Sequence, residues 1–289
     1  MKKTHPILRW SLVAILVIVL AVGCSTTQKA PVTTDLDRDS QVSVPIPESS
    51  PIIQNPYVEY LGKAIDPVSG KTVEGYLFRH PVVSSLSRAE AERYAAASTC
   101  YGFLSSGAKW KHLENWVLNP ANGDGLTSSF LLSNEAMDIA KWEDAADGVV
   151  GDSRSIQILG DGMLTNSPLS LSNSRPDGVN AVFLGGGLSS GTIAVTVIWG
   201  IFSGPSSRRE LTEWDQEFND ANFTWSMSGE AGKMDFENIA THELGHACGM
   251  NDQYSSSCKE VTMYGYGANG ETKKRTLEAP DITGISILY

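Results

Sequence analysis

Positive charge is scarce in this sequence. It has 22 lysine and arginine residues against 33 aspartate and glutamate residues, which gives a formal net charge of −11. Nucleic-acid binding depends on clustered positive charge, so this balance argues against a nucleic-acid partner. The basic run Lys273-Lys274-Arg275 is short, and we predict that it is a solvated loop.

Long hydrophobic runs are also lacking. The apolar stretch at residues 10–22 is shorter than the roughly 20 residues that span a bilayer. It follows basic residues and ends in Ala21-Val22-Gly23-Cys24, which is typical of a lipoprotein signal whose cysteine carries the lipid. We therefore predict an exported protein with a lipid anchor on Cys24 at the cell surface. A plain signal peptide or an uncleaved anchor would be the alternatives, and both also predict export.

Large apolar residues are few between Ser25 and Pro56, where serine, threonine, proline and aspartate dominate. Such a segment cannot bury enough surface to fold alone. We predict that the chain divides into a lipoprotein-type signal peptide (1–23), a disordered tether (24–56), an N-terminal supporting or pro-like segment (57–108) and a main folded domain (109–289).

Histidine is rare, with five in the chain, yet His242 and His246 lie four residues apart. On a helix this spacing puts both on one face, where they can share a metal ion. Gly249 allows a left-handed turn that brings Asp252 back as a third ligand. Three protein ligands leave a fourth position for water, as in catalytic zinc sites, and Glu243 is placed to act as general base. The alternatives are two surface histidines and a solvated Asp252.

The pattern H-E-x-x-H-x-x-G-x-x-D is followed by Val261-Thr262-Met263-Tyr264. Together they resemble the metzincin signature with its Met-turn, and the stretch from Thr276 to Tyr289 resembles the end of a matrixin catalytic domain. The likeness is to matrixin-like peptidases of archaea and bacteria, and aspartate as third ligand is similar to snapalysins. The resemblance implies a zinc-dependent endopeptidase that acts on proteins or peptides. Its single catalytic zinc ion would be held by His242, His246 and Asp252, with Glu243 as the base.

The fold class implied is α+β, with a twisted mixed β-sheet packed on two long helices and a C-terminal helix after the Met-turn. Alternating apolar residues predict a hairpin over residues 57–78, and the ligand helix is predicted over residues 234–250 with Asp235 as N-cap. The resemblance places residues 193–197 on an edge strand, to which an extended substrate could add. An ordinary strand with a covered edge is the alternative.

The resemblance also bears on the cysteines and on two residues of the Met-turn. Beyond Cys24, three cysteines allow three single pairings. Matrixins usually carry an apolar residue where this chain has Cys248, so Cys248 is interpreted as a small buried hydrophobe and Cys100–Cys258 is preferred. Met263 would lie beneath the metal. Tyr266 would either stabilise an oxyanion, as in astacins, or belong to the core or rim.

Acidic residues alternate along the predicted strand at Glu213, Asp215 and Glu217. They could hold a structural calcium ion, as matrixins do nearby, but a solvated acidic face is the preferred interpretation.

Two functions other than a peptidase stay open: a catalytically inactive zinc-binding surface protein that acts as a binding module, and an adhesive protein with incidental histidines. Glu243 argues against the first, because a binding module needs no base beside the metal. The oligomeric state is left open.

Overall fold

A computed structural model describes residues 55, 57–83 and 99–289. The predicted signal peptide and nearly all of the tether lie outside these residues. The strands are β1 (Val58–Ile65), β2 (Thr72–Pro81), β3 (Trp116–Asn119), β4 (Gly162–Leu164), β5 (Asn180–Gly185), β6 (Thr192–Ile201), β7 (Glu210–Asn219), β8 (Trp225–Ser226) and β9 (Met234–Asp235). The helices of more than one turn are α1 (Ser128–Ala145), α2 (Phe236–Ala247) and α3 (Ala279–Leu288).

Seven strands form one mixed sheet in the order β1-β2-β6-β7-β5-β3-β4. The first three neighbouring pairs in that order are antiparallel. The remaining three pairs are parallel. The predicted hairpin over residues 57–78 is confirmed as β1 and β2, and we call Val58–Pro81 the N-terminal hairpin. Strands from both sides of the predicted boundary at residue 108 therefore belong to one sheet.

The prediction that residues 193–197 lie on an edge strand is wrong. They belong to β6, which lies between β7 and β2. The pairing with β2 is antiparallel and extends from Glu74 opposite Gly200 to Pro81 opposite Thr192. Strand β2, more than a hundred residues upstream, thus pairs with the edge of β6 that was predicted to be free.

Helix α1 has 18 residues and α2 has 12, so α2 is shorter than the predicted 234–250. Asp235 is its N-cap as predicted, and its Oδ1 accepts a hydrogen bond from the backbone N–H of Asn238. The helix ends before Gly249, whose φ of +102° is accessible to glycine at little cost. Helix α3 follows the Met-turn, as predicted.

Both faces of the sheet are buried. On one face, α1 and α2 pack together, and the indole N–H of Trp142 donates to the carbonyl of Thr241 at 2.8 Å. On the other face, loop residues cover a smaller cluster formed by Val73, Leu77, Val195, Val197 and Trp199. Burying a large apolar side chain contributes about 1.5–3 kcal/mol, so these two layers hold β2 and β6 in place. Among the described residues, no helix is both long and apolar enough to cross a bilayer.

Candidate metal centre

Helix α2 and the turn after it bring three predicted ligands to one point. Asp252 Oδ1 lies 3.2 Å from His242 Nε2 and 3.5 Å from His246 Nε2. Ligand atoms about 2.0–2.1 Å from a tetrahedral zinc ion are about 3.3 Å apart. Within the described part of the chain, His242 Nε2 and Asp252 Oδ1 are buried without a hydrogen-bond partner. Buried polar atoms without partners are costly, so their spacing fits a metal ion.

Backbone carbonyls fix the orientation of both imidazoles. His242 Nδ1 lies 2.8 Å from the carbonyl oxygen of Thr262, and His246 Nδ1 lies 3.0 Å from that of Met250. A carbonyl only accepts, so each Nδ1 carries the proton and each Nε2 offers a lone pair. This is the tautomer that a metal ligand requires.

Asp252 is held by a residue that the sequence did not single out. The hydroxyl of Tyr254 donates to Asp252 Oδ2 at 2.7 Å, which leaves Oδ1 to face the two histidines. Burial opposes ionisation of Asp252, but His246 and His242 outweigh it and hold the pKa of this carboxyl well below its usual range. Asp252 is thus an anionic ligand candidate, as predicted, and the alternative of a solvated loop residue does not describe it.

The Met-turn lies directly beneath the ligand helix. A Cβ atom at Gly245 would lie 2.2 Å from Met263 Sδ, so a residue without a side chain is required between the two histidines. The carboxylate of Asp281 accepts hydrogen bonds from the backbone N–H groups of Thr262 and Met263, at 2.9 and 3.2 Å. Helix α3 therefore fixes the turn that supplies the carbonyl partner of His242.

Glu243 points from α2 toward the sheet. Its Oε2 accepts a hydrogen bond from the hydroxyl of Thr196 on β6, and its Oε1 lies 3.1 Å from His80 Nδ1 on β2. Burial raises the pKa of Glu243 to about 7. His80, His242 and Glu243 form a second group of close metal-ligating atoms, adjoining the one formed by His242, His246 and Asp252.

The prediction of a solvated basic loop at residues 273–275 is wrong. Lys274 is fully buried, and its Nζ lies 3.0 Å from His80 Nε2. It also donates to the carbonyls of Tyr264 and Tyr266, at 2.6 and 2.8 Å. Burial lowers the pKa of Lys274 to about 8. The next residue, Arg275, pairs with Asp235 and so braces the N-terminus of α2.

The acidic face on β7 is not solvated. Glu213, Asp215 and Glu217 are buried. Their carboxylates accept backbone N–H groups of the loops beside the sheet, such as that of Ser172 to Asp215 at 2.8 Å. Among the described residues, neither of the groups able to hold a metal ion includes them. Strand β7 uses these carboxylates to anchor loops.

The cysteine prediction is confirmed. Cys100 and Cys258 form a disulfide bond across 158 residues of sequence. Cys248 is a free, buried thiol at the end of α2. Tyr266 is buried, with its ring beside those of Tyr254 and Tyr57, at centroid distances of 5.2 and 6.1 Å.

The sequence analysis did not assign four residues to this site: His80, Thr196, Tyr254 and Lys274. His80 belongs to a set of only five histidines, and that rarity was the one signal available for it.

Comparison with known proteins supports this assignment for the C-terminal part of the chain. The matrixin family model matches residues 206–289, a range that holds β7, the ligand helix, the Met-turn and α3. No curated protein matches the chain. The match supports a matrixin-like metallopeptidase, a family that depends on zinc. The mixed sheet and the C-terminal helix fit the fold of that family.

Proposed function

We propose that the chain is an exported, membrane-anchored zinc endopeptidase that hydrolyses peptide bonds in proteins or peptides. The observation that carries the proposal is the spacing of His242, His246 and Asp252, whose free ligand atoms fit a tetrahedral ion beside the carboxylate of Glu243. The matrixin match over the same segment supports it.

A zinc ion held by these three side chains would polarise a water molecule and the scissile carbonyl. Glu243 would take the proton of that water on its carboxylate and later deliver it to the departing amine. Burial of the Glu243 carboxyl favours its protonated form, which helps it to take up that proton. Thr196 holds one carboxylate oxygen and so orients the other.

The test of this function is Glu243→Gln in the full chain. Zinc content, measured by mass spectrometry of metal ions, should stay at one per chain, because Glu243 is not a ligand. Hydrolysis of a peptide library should fall at least a hundredfold. The matched control is Glu213→Gln, which changes another buried glutamate that lies on β7 and takes part in loop anchoring. Hydrolysis that survives in Glu243→Gln would refute the mechanism, and loss of zinc would make Glu243 a ligand. Zinc binding without hydrolysis in any form of the chain would instead indicate the inactive binding module.

Membrane anchoring is a separate part of the proposal and depends on Cys24. The intact protein should partition into the detergent phase, and Cys24→Ser should release it or block maturation. Unchanged membrane association with an unprocessed N-terminus would indicate a transmembrane anchor.

A further inference from the structure

A cavity of about 700 Å³ opens on the face of the sheet that is turned away from helix α2 and the metal centre. Cavities of this volume are typical of sites for small ligands. Its floor is one row across the sheet, in which residues of neighbouring strands are directly paired. The row consists of Arg79 on β2, Val195 on β6, Glu217 on β7, Phe183 on β5 and Asn119 on β3. The floor therefore carries a cation at one end and a carboxylate in the middle, with an aliphatic side chain between them.

Two loops form the walls of this cavity, and hydrogen bonds to β7 hold both of them. In the loop before β5, the backbone N–H of Ser172 donates to Asp215 Oδ2 at 2.8 Å. In the loop between β5 and β6, the carbonyl of Ser189 accepts a hydrogen bond from Asn219 Nδ2 at 2.9 Å. A ligand would not have to order these loops when it binds, which favours affinity.

The carboxylate of Glu217 has one oxygen without a partner. Its Oε1 accepts a hydrogen bond from the backbone N–H of Gly187 at 3.0 Å. Within the part of the chain that the structure describes, Oε2 has no hydrogen-bond partner, although Glu217 is only 6% exposed. A Cβ atom at Gly185 would lie 2.5 Å from Oε1, so the glycine makes room for the carboxylate. An ammonium group that reached Oε2 would supply the missing partner and neutralise a buried charge.

Arg79 places a positive charge at the β2 end of the same row. Its guanidinium pairs with Glu59 on β1, whose side chain is half exposed. Surface ion pairs of this kind contribute little, and a guanidinium has five donors, so Arg79 can bind a second carboxylate. The cavity thus offers partners for both charges of a zwitterion.

The space between the two charges is apolar and has a defined length. Besides Val195, the side chains of Leu77, Leu171 and Leu188 line it. Two strand spacings separate Arg79 from Glu217, which is about 9.5 Å between their backbones. An extended peptide covers about 3.3–3.6 Å per residue, so two or three residues reach from one charge to the other. A free amino acid is too short.

We propose that this cavity binds a short peptide of two or three residues with both ends free, its amino group on Glu217 and its carboxylate on Arg79. Apolar side chains of the peptide would lie against the leucines of the walls. The site is distinct from the metal centre, because the two lie on opposite faces of the sheet, and it does not rest on the proposed function.

The experiment is calorimetric titration of the zinc-loaded full chain with the tripeptide leucyl-glycyl-leucine. Three further probes each lack one feature: the N-acetylated tripeptide has no ammonium group, the tripeptide amide has no carboxylate, and free leucine is too short. Each should bind at least tenfold more weakly than the parent tripeptide, because each loses a charge-assisted hydrogen bond. No binding of the tripeptide at millimolar concentration, or equal affinity for the free and blocked forms, would overturn the proposal.

Variants of the two charged residues assign each end of the peptide. Glu217→Gln keeps an oxygen for Gly187 N–H but removes the charge, and it should weaken tripeptide binding at least tenfold. Acetylation of the peptide should then cause no further loss, because the partner of its amino group is already gone. Arg79→Gln should behave in the same way toward the amide form.

Two matched controls complete the test. Glu213→Gln changes another buried glutamate of β7 that does not line the cavity, and Glu59→Gln removes the surface partner of Arg79. Neither should weaken binding. If Glu217→Gln does not fold, the blocked peptides and Arg79→Gln decide. Tripeptide binding that survives unchanged in Arg79→Gln and Glu217→Gln, or that is lost in Asp252→Ala, would place the peptide at the metal centre and refute the inference.

Discussion

The ligand segment, residues 235–263, and the N-terminal hairpin both touch the metal centre, but they are held there differently. The histidine contacts of the ligand segment are nearly local, spanning 4 residues from His246 to Met250 and 20 from His242 to Thr262. The hairpin contacts span 163 residues from His80 to Glu243 and 194 from His80 to Lys274. The ligand segment thus orients its histidines through nearly local contacts, whereas the hairpin reaches the metal centre only through tertiary packing.

The largest loss of zinc affinity should come from removing a metal ligand, and not from removing His80, which packs against the ligands. Asp252→Ala should lower zinc affinity on the order of a thousandfold, about 4 kcal/mol, because two ligands one helical turn apart make a poor site. Asp252→His should retain zinc, and His80→Ala should stay within about tenfold of the parent chain. Competition titration with a chromogenic chelator measures all three. A loss in His80→Ala as large as in Asp252→Ala would make the hairpin part of the metal site.

The disulfide joins the ligand segment to Cys100, downstream of the hairpin, so removing it should lower stability more than it alters the metal site. Cys100→Ser with Cys258→Ser should lower the free energy of unfolding by about 2–4 kcal/mol, the typical contribution of a disulfide bond. Urea denaturation of the metal-free chain measures this. Zinc affinity of the folded variant should change less than tenfold. A change in the free energy of unfolding below about 1 kcal/mol would mean that other contacts keep residue 258 in place without the disulfide.

Tyr254 joins the ligand segment to the residues just before the hairpin, and its loss should have a smaller effect. Tyr254→Phe removes the hydrogen bond to Asp252 and the contact from Asn55 while the ring stays in place. Zinc affinity should fall roughly tenfold, as is usual when the partner of a metal ligand is removed. Tyr264→Phe, in the neighbouring loop, is the control for loss of a tyrosine hydroxyl. An unchanged affinity in Tyr254→Phe would show that Asp252 is oriented by the backbone alone.

The smallest effect on the metal centre should come from α1, which packs beside the ligand helix. Lys141 bridges Asp138 on α1 and Glu237 on α2. Burial raises the pKa of Asp138 to about 7, although Lys141 opposes this. The folded chain then binds more protons than the unfolded chain between about pH 4 and pH 7, so the contribution of Asp138 to stability is lost as the pH rises through this window.

In Asp138→Asn, the fall in the free energy of unfolding between about pH 4 and pH 7 should be smaller by about 1–3 kcal/mol than in the parent chain. Stability at acid pH should change little. Urea denaturation of the metal-free chain at several pH values measures it. Asp144→Asn is the control on the same helix. A pH profile of the variant that parallels the parent chain would contradict the raised pKa.

The sequence predicts the ligand segment well for a physical reason. Helical spacing, the N-cap at Asp235 and the glycine turn at Gly249 are local and follow from neighbouring residues. The hairpin also has a local pattern and was predicted as an element. Its pairing with β6 was not predicted, because alternation along β2 reports which residues share a face and not which strand pairs with it.

The same limit explains the other differences. The basic run 273–275 has the composition of a solvated loop, but Lys274 is buried because His80, from a distant part of the chain, and the carbonyls of Tyr264 and Tyr266 surround its amine. The acidic residues on β7 look like a solvated face for the same reason, since the loop N–H groups that they accept, such as that of Ser172, come from outside the strand.

Asp281 has a consequence for how the protein is made. Its carboxylate fixes the Met-turn, and through the Thr262 carbonyl it sets the tautomer of His242. A ribosome releases all three candidate ligands before it releases Asp281. The nascent chain can therefore display its histidines well before it can orient them, and selective metal capture must wait until synthesis has passed residue 281.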